Sequence, residues 1–289
     1  MRVKHYIKNG LICLPLFFSM RLFDVSLLLR CLLGFAAFSF ISSVVYILND
    51  TRDVEKDRAH SKKCKRPIAS GLISVPLALT VAGILVAVSA VLLILLGNAF
   101  GAAIAAAYLV VNIAYSFGLK NIPIVDVILL VSGFVFRLVF GGVITNIPVS
   151  TWLFVTVICA AFYMGFGKRR GEILREGDAT RAVNKKYPVE FLDQQMGIFM
   201  TLILVFYSLW CIMTPSDGFA NPGFEWSVIL VILIFVRYSY NVRRDADGDP
   251  INVLLGDPFL IALTLVYCIF IFVTVYIPFP FLHWLAEMI

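Results

Sequence analysis

Between residues 49 and 57 the chain reads Asn49-Asp50-Thr51-Arg52-Asp53-Val54-Glu55-Lys56-Asp57. Asn49, Asp53 and Asp57 are four positions apart, a spacing that lines one face of a helix, and Asp50 falls on the adjoining flank. Three carboxylates and a carboxamide are hard oxygen donors of the kind magnesium takes, usually one or two carboxylates completed by phosphate oxygens and water. The chemistry this set supports is the holding of a diphosphate through magnesium. A solvated helix end is the simpler reading, but it needs no such spacing, and acids at a helix C-terminus oppose the helix dipole. Just downstream, Lys62-Lys63-Cys64-Lys65-Arg66-Pro67 supplies cations for phosphate oxygens, Arg as a planar fork and Lys as a point charge. Arg66 is preferred over Lys62 and Lys63, because Pro67 and the Ser70-Gly71 turn restrict its backbone. His60 reads as a surface residue.

A second polar run, Gly167-Lys168-Arg169-Arg170-Gly171-Glu172, follows a later apolar stretch. A basic loop suits a bare phosphate, so Lys168 and Arg169 are candidates to clamp one, with Glu172 as the lone acid beside them. The plain alternative is charge that marks the inner side of a membrane. Asp126 and Arg137 fall in one apolar stretch, eleven residues apart, which is three helical turns and therefore one face. A charge at the centre of a membrane helix costs about 2.5–3.5 kcal/mol or more and usually faces a cavity. Asp126 is expected to orient a ribose hydroxyl or to serve in metal binding, and Arg137 to lie deeper. Tyr115, Ser116 and Lys120 close another apolar stretch with hydroxyl and ammonium donors, and Tyr163 precedes Lys168 by five residues. Lys8 and Asn9 belong to a basic start. Arg30 can snorkel and is assigned no chemistry.

The elements that must carry these residues are membrane helices. Of the 289 residues 61% are apolar and 15% charged, and the mean hydropathy is +0.93, whereas water-soluble domains are about 25% charged. With about 20 apolar residues needed per crossing, nine spans are expected, near residues 6–20, 25–48, 75–96, 99–117, 123–143, 150–167, 194–213, 226–241 and 257–277. The first is short and holds Pro15. With the N-terminus inside, the Lys and Arg clusters all fall in cytoplasmic segments and the opposite loops hold only Arg21, as the positive-inside rule requires. The net charge of +6 is thereby assigned to topology and anionic lipid rather than to a nucleic acid. The reading is a single all-α membrane domain over 1–289, multi-pass in a bacterial-type inner membrane, with its active-site loops cytoplasmic. Two long cytoplasmic loops separated by four helices hint at a repeated four-helix unit. The N-terminus is expected to be retained, and the six scattered cysteines to be core thiols.

The segment N-D-T-R-D-V-E-K-D followed by K-R-P-I-A-S-G resembles the first signature of the UbiA superfamily of intramembrane prenyltransferases. The opening R-V-K-H-Y-I-K-N, the run A-Y-S-F-G-L-K-N-I-P-I-V-D-V, then S-G-F-V-F-R and G-K-R-R-G-E are similar to its decaprenyl-phosphate phosphoribosyltransferase branch. The likeness covers nearly the whole chain. It implies nine helices around a central cavity and a requirement for magnesium. It also implies transfer of 5-phosphoribose from phosphoribosyl diphosphate to a polyprenyl (decaprenyl) phosphate, with release of diphosphate, for precursors of cell-envelope arabinan.

Aromatic prenyltransferases of the superfamily carry a second motif, D-x-x-x-D, after the sixth helix, where this chain has Gly167–Glu172. Carboxylates approach phosphate only with cations between them, so the basic run leaves one metal-binding half, on Asn49, Asp50, Asp53 and Asp57. It offers direct cationic contacts at the other, to the donor's 5-phosphate or to the lipid phosphate. An aromatic prenyltransferase is the first rival. A transporter, with Asp126 and Arg137 on a permeation path, is the second, but the polar clusters lie at the membrane surface rather than in broken helices at the midplane. No pattern assigns an oligomeric state.

Overall fold

The computed structural model describes residues 3–59, 63–177, 183–213, 223–245 and 249–277, and every regular element among them is helical. His60, Lys62 and Arg181 lie outside the described residues. The first expected span is a 3-10 helix, Val3–Cys13, that runs into α1, Leu14–Phe18. A 3-10 helix rises about 2.0 Å per residue against 1.5 Å for an α-helix. The apolar part, Tyr6–Phe18, therefore reaches about 24 Å instead of about 20 Å. Pro15 sits in the first turn of α1, where a missing N–H costs nothing.

Eight described helices, not the nine expected, are long and apolar enough to cross a membrane, Tyr6–Phe18 being shorter: α2 (Val25–Arg52), α4 (Val75–Leu96), α5 (Ala99–Ser116), α6 (Val125–Thr145), α7 (Thr151–Glu176), α8 (Val189–Met213), α9 (Ser227–Asp245) and α11 (Pro258–Tyr276). The short α3 (Val54–Arg58) and α10 (Pro250–Leu255) lie in the connections. The chain is thus a multi-pass membrane protein. The largest departure from the expected bounds is α7. It continues through Lys168–Glu176, because Lys, Arg and Glu are good helix formers and an i,i+3 pair joins Arg169 to Glu172. It stops at Gly177, whose φ of 49° suits glycine. The basic run therefore rides on a helix and not on a loop.

The chain divides into two compact units, one made of residues 1–17 and 22–148, the other of 18–21 and 149–289. In the first, α2 packs against the 3-10 helix, α4, α5 and α6. The buried line of α4 is Ala78, Ala82, Leu85 and Ser89, small residues of the kind that let membrane helices approach closely. The rest of α4 exposes Leu, Ile and Val, as lipid solvent allows. Arg30 does not snorkel: its Nε donates to Ile144 O at 2.9 Å and its Nη2 to Leu96 O at 3.1 Å. It thus caps the last turns of α6 and α4, where carbonyls lack helical partners and the dipole favours a cation.

Gly141 marks the closest approach in this unit. A Cβ there would lie 2.8 Å from the carbonyl carbon of Ile12 and 2.9 Å from its Cα, backbone that cannot turn aside. Gly141→Ala is expected to lower the unfolding free energy by about 2–3 kcal/mol, read as a drop of several degrees in the thermal unfolding of the detergent-purified protein. An unchanged transition would refute the packing.

In the second unit α7 and α8 form an antiparallel pair, packed through Phe162 and Phe199, whose rings stack with centroids 4.8 Å apart. Helices α9 and α11 are tied near the α10 connection by Asp257. Its carboxylate accepts from Arg237 Nε and Asn241 Nδ2, both at 2.6 Å, and caps α11 through the Phe259 N–H at 3.0 Å. The Arg237 guanidinium first, and then Asn241, hold the Asp257 carboxyl far below the usual carboxylate range. A carboxylate whose folded pKa lies below its unfolded value contributes stability that is present above the unfolded value and lost as pH falls through the folded one. Asp257→Asn should lower the unfolding temperature at pH 7, with a difference from wild type that is flat from pH 5 to 8 and narrows below about pH 4. A difference that persists unchanged into strong acid would contradict the pairing. Each unit presents four long helices with its principal polar connection after the first of them, the order that the loop spacing hinted at.

Candidate active site

The acidic segment is built where α2 ends. Asp53 breaks the helix with φ −93° and ψ 12°, yet Asp53 N–H still donates to Asn49 O at 3.0 Å and Asp57 N–H to Asp53 O at 2.8 Å. The helical register therefore survives the break, and α3 carries Asp57 onward. At 100° per residue, Asp50 and Asp57 lie within about 20° of each other and Asn49 and Asp53 within about 40°. The face splits accordingly. Arg66 Nη1 bridges Asp50 Oδ1 at 3.0 Å and Asp57 Oδ2 at 2.5 Å. Lys120 Nζ takes both oxygens of Asp53, at 3.0 and 2.8 Å, and Ser116 Oγ approaches Asn49 Oδ1 at 3.5 Å.

Local structure explains why those cations arrive. The loop before α4 folds on itself through Ser70 N–H to Arg66 O and Ile73 N–H to Pro67 O, with Gly71 at φ 83°. Ile68 and Ala69 are buried, and Arg58 Nε holds Ala69 O at 3.1 Å. The constraint expected from Pro67 and Ser70-Gly71 is real, and it aims Arg66 at the acids. On the other side, the Arg52 guanidinium stacks 4.1 Å from the Phe117 ring centroid, which draws the turn carrying Lys120 against the end of α2. Neither Arg52 nor Phe117 stood out in the sequence, where a basic residue and an aromatic 65 positions apart give no signal.

Among the described residues no three His, Cys, Asp or Glu side chains converge on a single metal position. The donor chemistry nevertheless fits magnesium. Asp50 and Asp57 already hold one cationic nitrogen between them, and two carboxylates are the usual protein share of a magnesium shell, with phosphate and water completing it.

Other expected site residues divide by burial. Tyr115 is half-buried in the last turn of α5, and Lys8 lies 6.0 Å from the Phe134 ring centroid. Asn9 and Asp126 are wholly enclosed, and Arg137 is 6% exposed. Arg137 Nε donates to Asn9 Oδ1 at 2.6 Å, Nη1 to Gly133 O at 2.5 Å and Nη2 to Tyr108 Oη at 3.2 Å and Ser42 Oγ at 3.3 Å. The Phe38 and Tyr108 rings cover it at 5.2 and 5.0 Å. Asn9 and Arg137 together lock the 3-10 helix to α2, α5 and α6, an internal pairing of the kind the depth of Arg137 suggested. Asp126 sits in the first turn of α6, where the dipole favours an acid.

In the second unit Arg169, expected to clamp a phosphate, is fully buried, with Nη1 donating to Glu172 Oε2 at 2.6 Å; Asn184 Nδ2 donates to the same oxygen at 2.9 Å. Glu172, held by Arg169 within α7, thereby ties the helix to the 183–187 turn through Asn184. Tyr163 is likewise buried, among Phe235 and Tyr238. Lys168 is partly exposed, and Arg170 Nε pairs with Asp193 Oδ1 at 2.9 Å. Asp193, Asn184 and the Arg237–Asp257 pair were missed. Arg237 was within reach of the rule that picked out Arg137, since it too is a charge inside an apolar helix.

The UbiA prenyltransferase family model matches residues 12–264, across both units. The chain is 31% identical over 284 residues to a decaprenyl-phosphate phosphoribosyltransferase of Corynebacterium glutamicum, covering 96% of this chain and 86% of that one. It is 34% identical over 247 residues to one of Mycobacterium tuberculosis, covering 84% and 80%. Among solved structures, a UbiA homolog from Archaeoglobus fulgidus bound to GPP and Mg2+ superimposes with a TM-score of 0.67 at 16% identity, over 95% of this chain and 99% of that one. At that identity the likeness concerns the fold. By the extent of the family match and its relatives, the chain belongs to the UbiA prenyltransferase family.

Proposed function

We propose that this enzyme transfers 5-phosphoribose from phosphoribosyl diphosphate to a polyprenyl phosphate, releasing diphosphate. The observation that carries the reading is the unlike chemistry of its two polar connections. One gathers three carboxylates around cations. The other, where an aromatic prenyltransferase would have a second acidic motif, has the basic run Lys168-Arg169-Arg170 at the end of α7, with Lys168 partly exposed and Arg169 and Arg170 paired to Glu172 and Asp193. Relatives named decaprenyl-phosphate phosphoribosyltransferase at 31–34% identity support it.

In the reaction an oxygen of the lipid phosphate forms a bond to the anomeric carbon as the bond from that carbon to diphosphate breaks. The attacking phosphate is already an anion at neutral pH, so the chain need not supply a base. Its residues act by positioning and by charge. Asn49, Asp50, Asp53 and Asp57 are the set that would hold magnesium. When bound, magnesium neutralises the departing diphosphate. Arg66 and Lys120 stand beside those carboxylates and are placed to meet phosphate oxygens, Arg66 with its fork. Lys168, partly exposed at the inner reach of α7, is the cation for a second phosphate. The Lys and Arg distribution supports a cytoplasmic position for both connections, in a bacterial plasma membrane.

Purified protein with magnesium, labelled phosphoribosyl diphosphate and a polyprenyl phosphate should form labelled lipid and free diphosphate. No product across several chain lengths, with turnover of a prenyl diphosphate and an aromatic acid instead, would overturn the reading. Lys168→Ala should raise the KM for a phosphate-bearing substrate by about tenfold or more, the loss of one charge-assisted contact, with a smaller change in kcat; an unchanged KM would remove Lys168 from the site.

A further inference from the structure

Each aspartate of the acidic segment already faces a cation from within the chain. One Arg66 nitrogen serves Asp50 and Asp57, the Lys120 ammonium serves Asp53, and none of these five side chains is more than 24% exposed. A magnesium ion coordinated about 2.0–2.1 Å from these carboxylates would lie close to both nitrogens, which stand 2.5–3.0 Å from the same groups, and like charges so placed repel. The two cations come from segments separate from α2, the loop before α4 and the turn before α6. The second of these is strained. Ile124, four residues after Lys120, has φ 68°, a conformation that a β-branched residue adopts only when its surroundings impose it.

We infer that Arg66 and Lys120 are exchange cations: they hold the carboxylates and pass to the donor's phosphates when metal and donor bind together. This rests on the proposed function and gives it an order. Metal alone must displace two held cations, and diphosphate alone meets cations that are already engaged. Bound together, each ligand frees what the other needs: the carboxylates are released to the metal and the two cations to the phosphates. Linkage requires the coupling to be mutual. Lys120 and Arg66 are therefore positioning residues for donor entry as well as contacts to it.

The test is metal affinity rather than turnover, read by manganese EPR on the full chain in nanodiscs, with and without inorganic diphosphate. In the wild type, diphosphate should tighten manganese binding by about tenfold or more, within the usual range of coupling between sites. Without diphosphate, Lys120→Met should bind manganese about five- to tenfold more tightly than wild type, Arg66→Met should shift in the same direction, and in both the gain from diphosphate should shrink. Lys120→Arg should stay close to wild type. The unsubstituted protein provides a reading independent of variant folding: the Arg66 guanidinium 15N resonances should move when magnesium plus diphosphate is added to the metal-free protein, and less with either ligand alone. Variants that bind manganese no more tightly than wild type, or a wild type indifferent to diphosphate, would overturn the exchange. Asp53→Asn separates the two levels. If it binds manganese as well as wild type does, the acidic segment is not the metal site and the underlying reading falls. If it loses the metal while Lys120→Met gains none, only the exchange falls.

Discussion

Asp53→Asn is expected to lower kcat by about 10²–10³-fold, the scale on which one preorganised electrostatic contact contributes to a transition state. The substitution keeps the size and shape of the side chain and removes only its charge, so α2 and α3 should fold as before. Asp53 is also the partner of Lys120 through both of its oxygens, and the loss therefore reaches a cation as well as the metal. Glu55 provides the control. It lies only two residues away but is exposed, and at 100° per residue it points about 160° from Asp57. Glu55→Gln should turn over at the wild-type rate. Formation of labelled lipid at saturating donor measures both. Full activity in Asp53→Asn would remove this residue from the catalytic set.

Arg137→Met is expected to cost about 2–4 kcal/mol of unfolding free energy. Removing a buried cation relieves a desolvation penalty, so the sign has to be argued. Among the described residues the guanidinium is the donor to the enclosed Asn9 Oδ1, and an orphaned buried acceptor costs about 1–3 kcal/mol. Two ring contacts, with Phe38 and Tyr108, add about 0.5–2 kcal/mol when desolvated. The directional losses therefore exceed the relief. Arg137→Lys should fare little better, because an ammonium cannot reach from Asn9 to Tyr108 as the planar fork does. Asn9→Ala should be milder, and the double variant less than additive, with a coupling of about 0.5–3 kcal/mol. Thermal unfolding of the purified protein reads all four. Equal stability of Arg137→Met and wild type would show that the network holds nothing together.

Much of the fold was legible because membrane insertion is read from short windows of sequence. Hydrophobic length placed α2, α4, α5, α6, α8, α9 and α11. The bounds slipped where hydropathy stops reporting on helicity. Helix α7 runs nine residues past its expected end, since Lys, Arg and Glu extend a helix as readily as apolar residues do. The first span proved shorter in residues but longer per residue, a 3-10 stretch that hydropathy alone does not distinguish from an α-helix.

The site was legible only in part. The sequence by itself determined which residues carry oxygen donors and cations, because the four-residue spacing of Asn49, Asp53 and Asp57 is a local property of one helix. Only the tertiary structure decided how they pair. The partner of Asp53 lies 67 positions away at Lys120, and Arg66 bridges Asp50 to Asp57 because its loop closes on Ile68 and Ala69. It also decided the surroundings of the other charges. Arg169 and Arg137 sit in polar networks inside their units, where a buried charge is bonded from within the chain. Periodicity fixes the face from which a side chain leaves its helix, but the neighbour it meets depends on non-local packing, which no local spacing encodes.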